Sequence, residues 1–283
     1  MIIIQIRRPL LIILMFVVAI SFIITNNTKN DEELNDKIIT IQGVVKGKIE
    51  KKRYNQYKVG VFLINDYTKN KNLKIGQKVN ITGKFKSLDK MKYDDFDYGR
   101  YIKSTGYKGI VYINNYKIID KNKLYSLIGK IKFYISKTYR YLYKKNSDFI
   151  NSILLAEVEN LTEEQKEIFT RTGTSHVISI SGLHTGILCV IISFLLRGIN
   201  KLYKLLILSI FITLYCIMVG ASPSIIRSIA FVMIFYLSIF IDRKKDGISA
   251  LSLIGIILIM NNPYVIYNVS FQLSFLATLS ILI

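Results

Sequence analysis

Thr172-Gly-Thr-Ser-His-Val-Ile-Ser-Ile-Ser-Gly-Leu-His-Thr-Gly186 holds both histidines of the chain, His176 and His184, and opens a long apolar run. Hydroxyls, imidazoles and glycines are thus concentrated where a membrane helix should begin. Polar groups in hydrocarbon are costly unless they meet one another, water or a passing substrate. As one uninterrupted helix the segment would hold the two imidazoles roughly 12 Å apart along its axis, too far to share a metal. A serine hydrolase pairing Ser179 or Ser181 with a histidine would lack an orienting carboxylate in this span. The remaining use of Gly182 and Gly186 beside serines is an unwound or closely packed helix lining a wet cavity, or plain helix–helix adhesion.

Outward from this run, charge and apolarity are segregated. Of 39 Lys/Arg residues, 30 lie between positions 29 and 171, with 17 of the 19 Asp/Glu, leaving the ends apolar. The formal charge is +20, and mean hydropathy is nonetheless +0.34. Lysine enrichment accompanies abundant Asn, Ile and Tyr, so charge alone does not establish a polyanionic partner. Cys189 and Cys216 lie in apolar runs without metal-ligand spacing, as small packing residues.

The apolar run 9–25 follows Arg7 and Arg8 and lacks a small-residue cleavage site, which predicts a retained amino-terminal span in 1–28. Further spans are expected near 177–196, 205–220, 224–241, 248–260 and 265–283. Pro9, Pro223 and Pro263 fall at predicted helix ends, where a missing donor costs least. With Arg7 and Arg8 in the cytoplasm, Arg197, Lys201 and Lys204 and then Arg243, Lys244 and Lys245 return there, and the short loops on the far side carry no Lys or Arg.

Between the first and second spans, 29–120 reads as a small extracytoplasmic β domain. Ile38-Ile-Thr-Ile-Gln-Gly-Val-Val45, Tyr57-Lys-Val-Gly-Val-Phe-Leu-Ile64, Lys78-Val-Asn-Ile-Thr-Gly-Lys-Phe85 and 109–113 carry strand composition. Gly43 and Gly83 predict bends of a small closed barrel, OB-type or SH3-like, with a short helix near 98–104. Linker helices follow in 121–175. The stretch 123–143 is basic and amphipathic, suited to an anionic membrane surface or to packing on the barrel. A helix from 162 should be capped by Thr162 with Gln165 and stopped at Gly173. The fold class is therefore a membrane α-helical bundle of about six transmembrane helices carrying an inserted OB-like barrel.

Two later polar islands join the first. Gly220-Ala-Ser-Pro-Ser-Ile-Ile-Arg227 sets Ser222, Ser224 and an intramembrane Arg227, whose guanidinium suits phosphate or snorkels to the interface. Ser270-Phe-Gln-Leu-Ser-Phe275 adds Gln272 to the last span. His176, Ser179, Ser181, Gly182, His184, Gly186, Ser222, Ser224, Arg227 and Gln272 are the candidates for a polar path through 176–283. On the outer domain, Tyr54, Tyr57 and Phe62 are candidates for base stacking.

These blocks resemble the ComEC/Rec2 family of competence membrane proteins. The likeness rests on Leu155-Ala-Glu-Val-Glu-Asn-Leu161, on His176 followed by Ser181-Gly182-Leu183-His184, on the 220–227 block, on Asn262-Pro263 and on Ser270-Phe-Gln-Leu-Ser-Phe-Leu-Ala-Thr-Leu279. Phe96-Asp-Tyr-Gly-Arg-Tyr-Ile-Lys-Ser-Thr-Gly-Tyr-Lys-Gly-Ile-Val-Tyr112 is similar to the end of the family's OB-like domain. The resemblance implies a multi-pass cytoplasmic-membrane protein that passes single-stranded DNA inward without catalysis on this chain. It also implies membrane lipids as surroundings, a DNA receptor outside, an ATP-driven motor inside, and compatibility with a homo-oligomer; no cofactor or metal is expected. Ile283 ends inside an apolar run where the family continues, so a fragment of a longer protein is expected. The metallo-β-lactamase-like domain of many members needs clustered His and Asp, which two histidines do not supply. A membrane-embedded Ser/His hydrolase, and a transport or structural protein outside competence, are the rival classes.

Overall fold

Alternation is sharpest in the strand Gln77–Lys86, where Val79, Ile81 and Phe85 are buried and Lys78 and Lys84 point out. A computed structural model describes residues 8–28, 32–51, 53–89, 91–93, 96–174, 182–220, 225–226, 229–230, 233–234 and 246–283. Its β strands are β1 (Ile38–Glu50), β2 (Asn55–Val59), β3 (Phe62–Asp66), β4 (Gln77–Lys86), the short pair β5 (Lys92–Tyr93) and β6 (Phe96–Asp97), and β7 (Gly109–Lys121). Five of them close a barrel in the order β1-β2-β3-β7-β4, with β3 and β7 parallel and the other pairings antiparallel. This barrel fits an OB-like fold. Val45, Tyr57, Ile64, Val79, Ile81 and Val111 fill its core without exposure.

The barrel exceeds its sequence signature. β7 runs on to Lys121, because after pairing with β3 it pairs with β4 as far as Gln77. A bulge between Thr82 and Gly83 absorbs the Asn114–Asn115 step. At Gly83 a β carbon would collide with the Tyr112 carbonyl, so glycine is required there.

Nine α helices accompany the strands among the described residues: α1 (Pro9–Asn27), α2 (Tyr98–Ser104), α3 (Lys123–Tyr143), α4 (Ser147–Leu155), α5 (Glu163–Arg171), α6 (Gly182–Leu195), α7 (Lys201–Val219), α8 (Gly247–Asn261) and α9 (Val269–Leu282). α5 begins with the expected capping box of Thr162 and Gln165, and Gly173 takes the left-handed φ of 69°. α1 and α7 are long and apolar enough to cross a membrane, while α8, α9 and the apolar part of α6 are shorter. The run expected to form one span over 265–283 instead begins with a 3-10 turn, Pro263–Tyr267. Asn262 caps that turn and Asn268 caps α9. Six membrane crossings therefore go beyond what these helix lengths establish.

α1 is built inside out. Its buried residues are Ser21 and Thr25, whereas Met15, Phe16 and Ile23 are 69%, 65% and 61% exposed. A large apolar face turned outward is a liability in water and suits hydrocarbon. Inward, Ser21 donates to the Pro263 carbonyl (2.7 Å), and the Thr25 and Tyr267 hydroxyls share a bond of 2.9 Å.

Ion pairs and close contacts fix how these helices run. At one end, the Arg8 guanidinium lies 3.6 Å from Asp246, which caps α8, and Gly247 faces Leu282 at the end of α9. At the other end stand Asn27, the 263–267 turn and the barrel's α2. Asn262 donates to the Lys103 and Ser104 carbonyls, and Asn268 donates to the Ser104 hydroxyl (3.1 Å). The Lys103 and Arg100 cations lie over the rings of Tyr264 and Tyr267. The barrel is thus seated on the end of the helical layer opposite Arg8.

Candidate nucleic-acid interface

Asp66, 1% exposed at the end of β3, organises the loop that follows it. Its carboxylate accepts from the Thr68 amide (3.1 Å), the Thr68 hydroxyl (2.6 Å) and the Lys71 amide (3.1 Å). Such an Asx-type turn fixes the loop locally and tolerates the left-handed backbone of Lys69, φ 55°. The turn holds Tyr67 outward, 55% exposed, with its ring 4.8 Å from that of Tyr54 and 5.9 Å from that of Tyr112. The Lys51 ammonium lies 5.2 Å over the Tyr54 ring and donates to its hydroxyl at 3.1 Å.

Beside this aromatic ladder lies an open, polar cavity of about 490 Å³. Lys48, Lys69, Lys71, Asn55, Asn70 and Asn72 are among its walls. Glu50 is engaged by Lys48 at 2.6 Å. Aromatic faces beside ammonium groups form the combination that holds single strands without reading sequence.

Of the stacking candidates read from sequence, only Tyr54 stands at this rim. Tyr57 is a core residue with no exposure, and its hydroxyl, whose pKa burial raises, donates to the Lys71 carbonyl. Phe62 packs edge-on against Phe85, half buried. Both point into the barrel because strand alternation places them there, and neither ring is available to a base. Tyr67 and Tyr112 are the rings that stand beside Tyr54 instead.

The outer face of β2 and β3, a common ligand face of OB folds, is closed. Gln56 donates to Asn65 at 2.9 Å, and each is 5% exposed. The turn after α4 approaches here: Lys58 feels the charge of Glu159, and Lys132 of α3 feels Glu157, Lys58 and Glu159. Burial holds both ammonium groups below the ordinary lysine pKa, and the glutamates only partly offset it. A lysine depressed in this way binds fewer protons folded than unfolded. Stability therefore rises with pH from the depressed value up to the ordinary one, and the charged form burdens the fold below that window. Lys132→Met should stabilise the chain by about 1 kcal/mol, read as a higher melting temperature at pH 7 and a smaller gain at pH 10.

Within the membrane half, His176, Ser179, Ser181, Ser222, Ser224 and Arg227 lie outside the described residues. Gly182 opens α6, and His184 follows it, half buried beside the fully packed Thr185. Among the described residues, none lies within 4 Å of where a β carbon on Gly186 would stand. Gln272 is exposed and donates to the Ile266 carbonyl (2.7 Å), serving the turn before α9. α6 packs on α7, and α9 packs on α8 and the turn. Helical residues between the two groups link them: Ile225 and Ile229 join Tyr215 and Cys216, whereas Ile226, Ala230 and Ile234 join Ile254 and Phe271. Leu188 of α6 falls in the first group and Phe271 and Phe275 of α9 in the second, and neither group includes His184 or Gln272.

Residues 153–283 match the family model described as competence protein. ComE operon protein 3 of Bacillus subtilis (strain 168) is 26% identical over 165 residues, covering 58% of this chain and 21% of that protein. Residues 153–283, the carboxy-terminal part of the chain, belong to the competence-protein family. A second relative, an uncharacterized protein of Aquifex aeolicus (strain VF5), is 26% identical over 207 residues, 63% of this chain and 49% of that one. The chain spans about a fifth of the first relative's length and about half of the second's. Among solved structures, aspartyl tRNA synthetase from Entamoeba histolytica aligns at a TM-score of 0.24 and 12% identity, over 67% of this chain and 44% of that one. A superposition that weak carries no argument.

Proposed function

We propose that this chain receives single-stranded DNA during competence and guides it, without catalysis, toward a passage between its membrane helices. One observation carries the reading: in a chain that carries a competence-family domain, the OB-like barrel holds an exposed Tyr67 between the half-buried rings of Tyr54 and Tyr112, beside clustered lysines. The strand's phosphates meet Lys48, Lys51 and Lys69, while Lys71 is held by the Ile113 and Asn114 carbonyls, and its bases stack on Tyr54, Tyr67 and Tyr112. Arg8 faces the cytoplasm, following the positive-inside rule. The end bearing the barrel then faces outward, where an incoming strand arrives. Six crossings, a polar path by His176, Ser179, Ser181, His184 and Arg227, and a cytoplasmic ATP-driven motor complete the proposal. Membrane lipids surround the helices, and an outside DNA receptor hands over the strand.

The test is fluorescence anisotropy of the full chain in detergent with labelled oligo-dT at several salt concentrations. Contact with about three phosphates predicts that log K falls with log salt at a slope of roughly −2. Absent or salt-independent binding would sink the reading.

A further inference from the structure

We infer that a cleft between α1, α2 and the α8–α9 turn binds the phosphodiester headgroup of one membrane phospholipid. The cleft, of about 180 Å³, is walled by Thr28, Lys92, Arg100, Lys103, Asp89 and Tyr264, among others. The Lys103 side chain, 11% exposed, is held 2.5 Å from Asp89 and lies 5.1 Å over the Tyr264 ring. Arg100 is braced by Asp97 at 3.4 Å and by the Asn26 side chain at 3.4 Å. Among the described lining residues, three cations against two carboxylates leave one positive charge, matching a phosphodiester monoanion. Independently, the Tyr264 hydroxyl is buried and has no hydrogen-bond partner among the described residues. A buried phenol left unpaired is costly, and a phosphate oxygen would accept from it.

Position selects a lipid over other sources of phosphate. The 19 residues of α1 span roughly 28 Å, close to the hydrocarbon thickness of a bilayer. The cleft opens at the end of that helix, by Thr25, Asn26 and Thr28. Tyr264 and Tyr267 mark the same level, as interfacial tyrosines do. The inference rests on α1 crossing a bilayer, as proposed above.

Calorimetric titration of the detergent-purified full chain with dioctanoyl phosphatidylglycerol tests it. One lipid per chain is expected. The double variant Arg100→Gln/Lys103→Gln should bind at least about tenfold more weakly. Tyr264→Phe removes only the unpaired hydroxyl, so it should weaken binding about threefold while melting no lower than the parent. Unchanged affinity in both variants overturns the inference. Displacement of the lipid by inorganic phosphate would make this a free-anion site, and displacement by oligo-dT would give the cleft to the DNA strand; either result rejects the lipid. Alkaline extraction of membranes tests separately whether the chain is integral to a bilayer. Release of the parent chain would reject the span, and with it the lipid setting, whatever the titration shows.

Discussion

The full chain carrying Tyr67→Ala should bind oligo-dT about tenfold more weakly than the parent, from the loss of one stacking platform. Tyr67 is the central ring of the ladder, so its removal also separates Tyr54 from Tyr112. Tyr67→Phe should retain most of the affinity, since stacking needs the ring and not the hydroxyl. The salt slope should stay unchanged in both variants, because no phosphate contact is removed. An alanine variant that binds like the parent would remove the ladder from the interface.

Gly76→Ala should destabilise the chain by about 3 kcal/mol, combining a forbidden backbone angle with a steric clash. Gly76 has φ 90°, and a β carbon there would overlap the backbone of Ser126 in α3. Its amide donates to the Val45 carbonyl (2.8 Å), and its carbonyl accepts from Asn122, the cap of α3, at 2.7 Å. One residue thereby joins the barrel's first strand to the long helix leaving it. Thermal unfolding followed by circular dichroism reads the effect. Gly106→Ala is the comparison: its φ is also 90°, but none of the described residues lies within 4 Å of the added carbon. It should cost only the strain share, about 1 kcal/mol.

These two positions show what sequence reveals and what it hides. The barrel was legible because Val79, Ile81 and Phe85 alternate with Lys78 and Lys84, and the cap of α5 because Thr162 and Gln165 have fixed spacing. Alternation also misled. In the stretch 57–64, apolar on both faces, it did not tell the inward face from the outward one, so Tyr57 was read as a stacking surface although it fills the core. Tyr67 was missed because a lone tyrosine in a polar loop has no periodicity. Only the Asp66 turn and the distant Tyr54 and Tyr112 make it part of a ladder. Residues 265–267 of the 263–267 turn were taken into the last span because Val265 and Ile266 are apolar; the structure buries both in the turn instead. Asparagines at both of its ends were the available signal, and they break the helix there.

The bonds from Asn262 and Asn268 to Lys103 and Ser104 join positions 158 to 164 residues apart. Chains are synthesised from the amino terminus at a few to tens of residues per second. The barrel therefore emerges complete many seconds before the hairpin it will sit on exists. In that interval α2 has no seat, and Ser104 must satisfy itself with water or its own turn. Assembly is consequently ordered in time: the strands close first, and the arrival of α8 and α9 locks the barrel in place.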